Sequence, residues 1–229
     1  MTIPELKSQF QDTEEYHKHI NDLFCQLVDN DNTLKQHRDF VENGYGFGER
    51  AFWWLWKLIC DEQKQGFSFL ELGVYKSATL SLIKLLRPDA TVHGVSPLSS
   101  EGGYPDCNYW QCIQDLHGHF NLDMPAIIKG LSNENWIVER VKEMGKWDVI
   151  YVDGSHKYSD VLFDLSTYAP LVKSGGYLVM DDANVDLNLW WGAFRGHQEV
   201  TDAKLKWLET QTDFEFVCSV VHISVFKKK

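Results

Sequence analysis

Five short apolar runs alternate with helical patterns between residues 67 and 180, and each run ends in, or is followed by, a small or acidic residue. The runs are Phe67 to Gly73, Thr91 to Val95, Ala126 to Lys129, Trp147 to Val152 and Tyr177 to Met180. The helical patterns between them cover about 78–87, 107–119, 134–144 and 158–171, and Gly175-Gly176 reads as the turn before the fifth run. Apolar strands joined through helices imply a parallel sheet with helices on both faces. A helix over 198–209 and a hairpin of 213–218 with 221–226 follow. The expected fold is therefore α/β and Rossmann-like. It has a seven-stranded sheet, mostly parallel, with an antiparallel terminal hairpin.

Residues 1–44 are polar, with sparse apolar positions such as Ile20, Phe24, Leu27 and Val28 at helical spacing. They read as an N-terminal helical extension of two or three amphipathic helices, broken near Asn30-Asp31-Asn32. The main domain then runs over 45–229. It begins at the glycine-rich GYGFG (44–48), a candidate hinge, followed by a helix over about 49–64. The N-terminal helices are candidates for a lid or for a contact between copies in a homo-oligomer.

The formal net charge is −11, and the only basic run is Lys227 to Lys229. A chain that binds nucleic acid or an anionic membrane shows a basic stripe, so neither is an expected partner. No apolar run reaches the ~18 residues of a membrane span; AFWWLWKLIC is too short and carries Lys57. The five cysteines are odd in number, form no CxxC, and follow no signal peptide. That pattern predicts reduced thiols and a cytoplasmic location.

In an open α/β sheet, ligands bind beyond the carboxyl ends of the strands. The first such end is FLELGVYKSATL, with Glu71, Gly73, Tyr75 and Ser77. Glycine at the turn allows close backbone approach, and the acid suits an ammonium or sulfonium. An ordinary strand-to-helix turn explains the same residues. The spacing is not GxGxxG, and no acid ends the second strand, which argues against a nicotinamide oxidoreductase.

The fourth strand delivers Asp153, followed by Gly154 and His156. Alone, the acid reads equally as a helix cap and the histidine as a packed imidazole. The fifth strand ends in Asp181-Asp182, adjacent acids that repel unless a cation or donors lie nearby. If these two strands are neighbours, ~4.8 Å apart, the three aspartates meet. An oxygen-rich trio suits Mg²⁺ or another divalent cation. Trp190, Trp191, Phe194 and Arg195 in the next loop, with Tyr45 and Phe47, are candidates for walls of an acceptor pocket. Packing against the N-terminal helices accounts for the loop equally well.

With these residues assembled, the chain resembles class I S-adenosylmethionine-dependent methyltransferases over roughly 45–185. It is most similar to the metal-dependent O-methyltransferases of the macrocin and mycinamicin sugar type and to the cephalosporin-hydroxylase-like group. The match lies in DGSHKYSDVLFDL followed by GGYLVMDDAN, similar to that family's "DGxH…D…L…GG…DD" block. The resemblance implies metal ligation by Asp153, Asp181 and Asp182 and a general base at His156. It implies S-adenosylmethionine near Glu71, Gly73, Tyr75, Ser77, Ser96, Ser132 and Asp153. The implied acceptor is a small-molecule hydroxyl of a sugar, glycoside or other metabolite. Three positions depart from the family pattern: Ser77 replaces a glycine, Ser96 stands where an acid holds the ribose, and Gly130-Leu131-Ser132 replaces Gly-Asp-Ser. They keep open a non-catalytic or regulatory binding module on the same fold. No (D/N)PPY-like motif follows the fourth strand, which argues against amino-methylation of bases.

Overall fold

The computed structural model describes residues 1–100, 107–189 and 191–229. Three helices open the chain: α1 (Ile3–Gln9), α2 (Glu14–Asn30) and α3 (Asn32–Glu42). Their starts follow from capping. Thr2 and Glu5 form a reciprocal capping box, and the Asp31 carboxylate accepts from the Thr33 and Leu34 amides. Helix α4 (Ala51–Asp61) is apolar almost all round, as a helix buried on several sides must be.

The alternating units then run β1 (Ser68–Leu72), α5 (Ala78–Leu86), β2 (Thr91–Ser96), α6 (Tyr109–His119), β3 (Ala126–Lys129), α7 (Asn135–Glu143), β4 (Trp147–Val152), α8 (Tyr158–Tyr168), β5 (Val172–Met180) and α9 (Gln198–Thr210). The hairpin β6 (Phe214–Val220) and β7 (Ile223–Lys228) ends the chain. The sheet order is β3-β2-β1-β4-β5-β7-β6, parallel from β3 to β5 and antiparallel thereafter. The Rossmann-like sheet of seven strands with its terminal hairpin is thus the one the sequence predicts.

Strand alternation divides the apolar residues into two cores. Phe69, Val149, Tyr151, Tyr177 and Val179 face one cluster with α2 to α5, where Trp56 packs edge-on against Phe69 and Tyr151. Leu70, Leu72, Ile150, Val152, Leu178 and Met180 face the other with α7, α8 and α9. Phe24, Val28 and Leu34 of the N-terminal helices belong to the first cluster, so they share the sheet's own core. Among the described residues no helix is long and apolar enough to cross a membrane, and all five cysteines are free.

Two elements differ from the sequence reading. Strand β5 starts at Val172, so Gly175-Gly176 lie inside a strand and not in a turn. The pairing with β4 is irregular there, and a side chain at Gly176 would meet the Asp148 carbonyl oxygen at 2.5 Å. The terminal hairpin is longer than expected, and its two-residue turn is Val221-His222.

Candidate functional site

Register brings the acids together. Val152 of β4 pairs with Met180 of β5, so Asp153 and Asp181 leave the sheet side by side. The Asp153 amide donates to Leu72 O at 2.8 Å, and the Asp181 amide to Val152 O at 3.0 Å. Asp182 follows with φ 54, a left-handed conformation that few residues other than glycine adopt and that Asp tolerates better than most. It is held there by the His197 amide, which donates to its carbonyl at 2.9 Å, and by Gly196, where a Cβ would sit 2.1 Å from that oxygen. Asp153, His156, Asp181 and Asp182 line one small cleft.

Three imidazoles converge on Asp182. His156 Nε2 lies 3.0 Å from its Oδ2, and His197 Nε2 lies 3.6 Å from the same oxygen. The His156 and His197 rings stack at 4.1 Å. On the other side, His222 Nδ1 lies 3.0 Å from Asp182 Oδ1 and 3.1 Å from Asp181 Oδ1. Burial disfavours the Asp182 anion, but the close His156 and His222 imidazoles outweigh it and hold this carboxyl well below the usual range. The Asp182 carboxylate likewise raises the His156 imidazole. For His222, burial works against the charged ring, yet the two carboxylates lift it to about 10. Asp153 is pushed far up, first by burial and then by the Asp181 and Glu71 charges; its carboxyl is close enough to Asp181 for a hydrogen bond.

The donor set fits a cation. His222 Nδ1 and Asp181 Oδ1 are buried and 3.1 Å apart, yet neither has a hydrogen-bond partner of acceptable geometry. Asp181, Asp182 and His222 each present one donor atom within 4.8 Å of the others. Buried atoms of this kind are costly unless paired, and a divalent cation would satisfy them together. His156, Asp182 and His197 form a second group of converging donors, and Asp153 stands beside Asp181 without belonging to either.

The other half of the strand ends is built around Gly73, whose φ is 102. A Cβ there would lie 2.0 Å from the Asp153 carbonyl oxygen, so the turns after β1 and β4 touch backbone to backbone. Glu71 is 3% exposed, bonded to Thr79, with Oε2 unpartnered; burial lifts its carboxyl to about 8. Tyr75 stacks with exposed Phe47 at 5.2 Å and meets the edge of Tyr109. Ser77 adopts φ 70, a left-handed conformation more usual for glycine, and its buried hydroxyl pairs with His117 Nε2 at 2.9 Å. The Ser96 hydroxyl donates to Val74 O and accepts from the Leu98 amide. Ser132 bonds to Asp164, a buried carboxyl of α8 lifted to about 7 by desolvation. These three serine hydroxyls are thus engaged with the protein itself.

Trp191 stacks near His17 at 6.5 Å, and Asn188 bonds to Asp12, so the loop after β5 is tied to the N-terminal segment. Phe194 is exposed and touches the His197 and His222 rings edge-on, at the rim of the acid cluster. The Arg195 guanidinium donates to Val185 O. Trp190 lies outside the described residues. The sequence reading missed His197 and His222. Antiparallel pairing of Met180 with Ser224 places His222 opposite Asp182, a signal legible only once the hairpin register is known.

Residues 70–183 match the family described as the methyltransferase domain. An uncharacterized protein of Acanthamoeba polyphaga mimivirus is 26% identical over 121 residues, 52% of this chain and 53% of that protein. The chain thus spans about half the length of this curated relative. Among solved structures, a Staphylococcus aureus protein described as a caffeoyl-CoA O-methyltransferase has a TM-score of 0.65 at 18% identity, covering 93% of this chain and 99% of that one. The Bacillus cereus O-methyltransferase in complex with S-adenosylhomocysteine gives 0.58 at 14% identity, covering 86% and 91%. The MycE methyltransferase of mycinamycin biosynthesis, solved with Mg, S-adenosylhomocysteine and mycinamycin VI, gives 0.54 at 20%, covering 80% and 50%. At these identities the likenesses show the fold, and the match over residues 70–183 identifies a methyltransferase domain in this chain.

Proposed function

We propose that the chain is an S-adenosylmethionine-dependent O-methyltransferase that acts on a hydroxyl of a small metabolite with the help of a divalent cation. One observation carries the reading. Asp153, Asp181 and Asp182 meet at the strand ends, with His156 Nε2 3.0 Å from Asp182 and the Gly73 turn in backbone contact with Asp153. A divalent cation held by Asp181 and Asp182, with Asp153 beside them, supplies a charge that lowers the pKa of an acceptor hydroxyl, and S-adenosylmethionine supplies the methyl group.

The chain's own residues do the rest. Asp182 engages Nε2 of His156, which fixes the ring and leaves Nδ1 to take the hydroxyl proton. Glu71, buried and short of a partner at Oε2, is placed to receive a cationic group of the cofactor. Exposed Phe194, against His197 and His222, offers an apolar face at the rim for a sugar or flat ring, and exposed Phe47 stacks on Tyr75 at the turn after β1. The −11 net charge suits a small acceptor better than nucleic acid. A non-catalytic binding module has one observation in its favour: Ser96, where the family places its ribose-binding acid, spends its hydroxyl on Val74 and Leu98.

Calorimetry with S-adenosylmethionine, with and without Mg²⁺, tests the proposal. Saturable binding at micromolar ligand is expected. No heat at millimolar ligand removes the cofactor and with it the activity.

A further inference from the structure

We propose that His222 is a direct donor to the cation site of Asp181 and Asp182, so that the site takes a transition-metal ion such as Mn²⁺, Co²⁺ or Zn²⁺ in preference to Mg²⁺. The inference rests on reading those acids as a cation site and adds the residue that sets its selectivity.

His222 is 5% exposed, and its Nδ1 has no hydrogen-bond partner. That nitrogen nevertheless lies 3.0 Å from Asp182 Oδ1 and 3.1 Å from Asp181 Oδ1. Two donors each ~2.1 Å from one ion, at octahedral to tetrahedral angles, stand ~3.0–3.4 Å apart. The observed separations fall in that range, whereas the ring N–H is not aimed at either oxygen for a hydrogen bond.

The ring is also held in place. His222 ends the turn between β6 and β7, and its carbonyl accepts from the Ala183 amide at 2.9 Å. Asn184 Nδ2 donates to Val221 O at 2.7 Å, which ties the turn to the residues just after Asp182. Phe52 and Phe194 meet the imidazole edge-on at 4.6 and 5.1 Å. Locked donors of this kind are what a selective metal site needs.

The donor types decide the ion. Oxygen-only sets suit Mg²⁺ and Ca²⁺, and an imidazole moves the preference toward borderline metals. His156 faces Asp182 Oδ2, the oxygen away from His222, so the two histidines divide the work. His222 completes the ion's donor set and His156 handles the proton.

The test uses the full chain, stripped with chelator and titrated with Co²⁺ or Mg²⁺, read by calorimetry and by the visible spectrum of bound Co²⁺. Wild type is expected to bind Co²⁺ at least tenfold more tightly than Mg²⁺. His222→Gln should lose roughly 10- to 100-fold in Co²⁺ affinity, with Mg²⁺ affinity changed less than about threefold. His222→Cys should restore Co²⁺ binding and add a thiolate-to-cobalt absorption band that wild type lacks. Equal Co²⁺ affinity and identical spectra in wild type and His222→Gln overturn the inference and leave the acid site standing. Failure of wild type to bind any divalent ion removes the acid site as well. If His222→Gln fails to fold, the absence of the thiolate band in His222→Cys overturns the inference independently.

Discussion

Gly73 and Gly44 have nearly the same backbone angle, φ 102 and 103, and opposite surroundings. A Cβ at Gly44 meets nothing within 4 Å; at Gly73 it would meet the Asp153 carbonyl at 2.0 Å. Gly44→Ala should therefore cost only the strain of a left-handed residue, ~1 kcal/mol. Gly73→Ala must also force apart the two turns that carry the site, and should cost on the order of 3 kcal/mol or more in denaturant unfolding. Equal costs would show that the turns can separate freely. His156→Ala makes a different prediction. Turnover should fall ~10²- to 10⁴-fold, as for loss of a general base, while S-adenosylmethionine affinity in calorimetry stays within about threefold. A parallel loss of cofactor affinity would place His156 in binding instead. Asp153, His156, Asp181 and Asp182 were legible because each lies one to four residues past an apolar strand. His197 stands at the start of α9, away from any strand end, and His222 falls inside the strand predicted over 221–226, so only tertiary pairing brings them to Asp182.

Among the elements, β1 to β4 are read correctly from their apolar runs: β1 and β4 are buried on both faces and have little else in their sequences, and the edge strand β3 still shows Ile127 and Ile128. The errors sit where backbone geometry overrides composition. Gly175-Gly176 has the composition of a turn, yet Gly176 is needed inside β5 because the Asp148 carbonyl leaves no room for a side chain. The terminal hairpin turns at Val221, with φ 49, a conformation no rule assigns to a β-branched residue. That turn is fastened by Asn184, which is fully buried, donates to Val221 O and accepts from Ser224 Oγ. Asn184→Ala would strand both partners in the interior. It should lower unfolding free energy by ~2–4 kcal/mol. An effect below about 0.5 kcal/mol would mean that water replaces the amide and the latch is dispensable.

At the scale of the whole molecule, the alternating pattern was enough for the α/β class, and the site was half legible: the acids and His156, but not the His197 and His222 imidazoles set against them. What the sequence hides is charge balance, because burial is a property of the assembled fold. Glu71 shows the consequence. Desolvation lifts its folded carboxyl from 4.5 to about 8, so between those values the folded chain keeps a proton that the unfolded chain has released. Stability must therefore fall as pH rises through that window, by up to about 1.4 kcal/mol per pH unit from this group, and level off above it. Asp182 runs the opposite way, since its depressed pKa stabilises the fold above the unfolded carboxyl value and is lost toward strong acid. Glu71→Gln removes the first contribution alone, because an amide has no proton to lose. In chelator-treated protein without cofactor, the unfolding free energy of Glu71→Gln relative to wild type should rise steadily from pH 5 to pH 8. A difference that stays flat would mean that Glu71 is ionised and paired in the folded chain, and its role as the waiting partner of a cationic ligand would go with it.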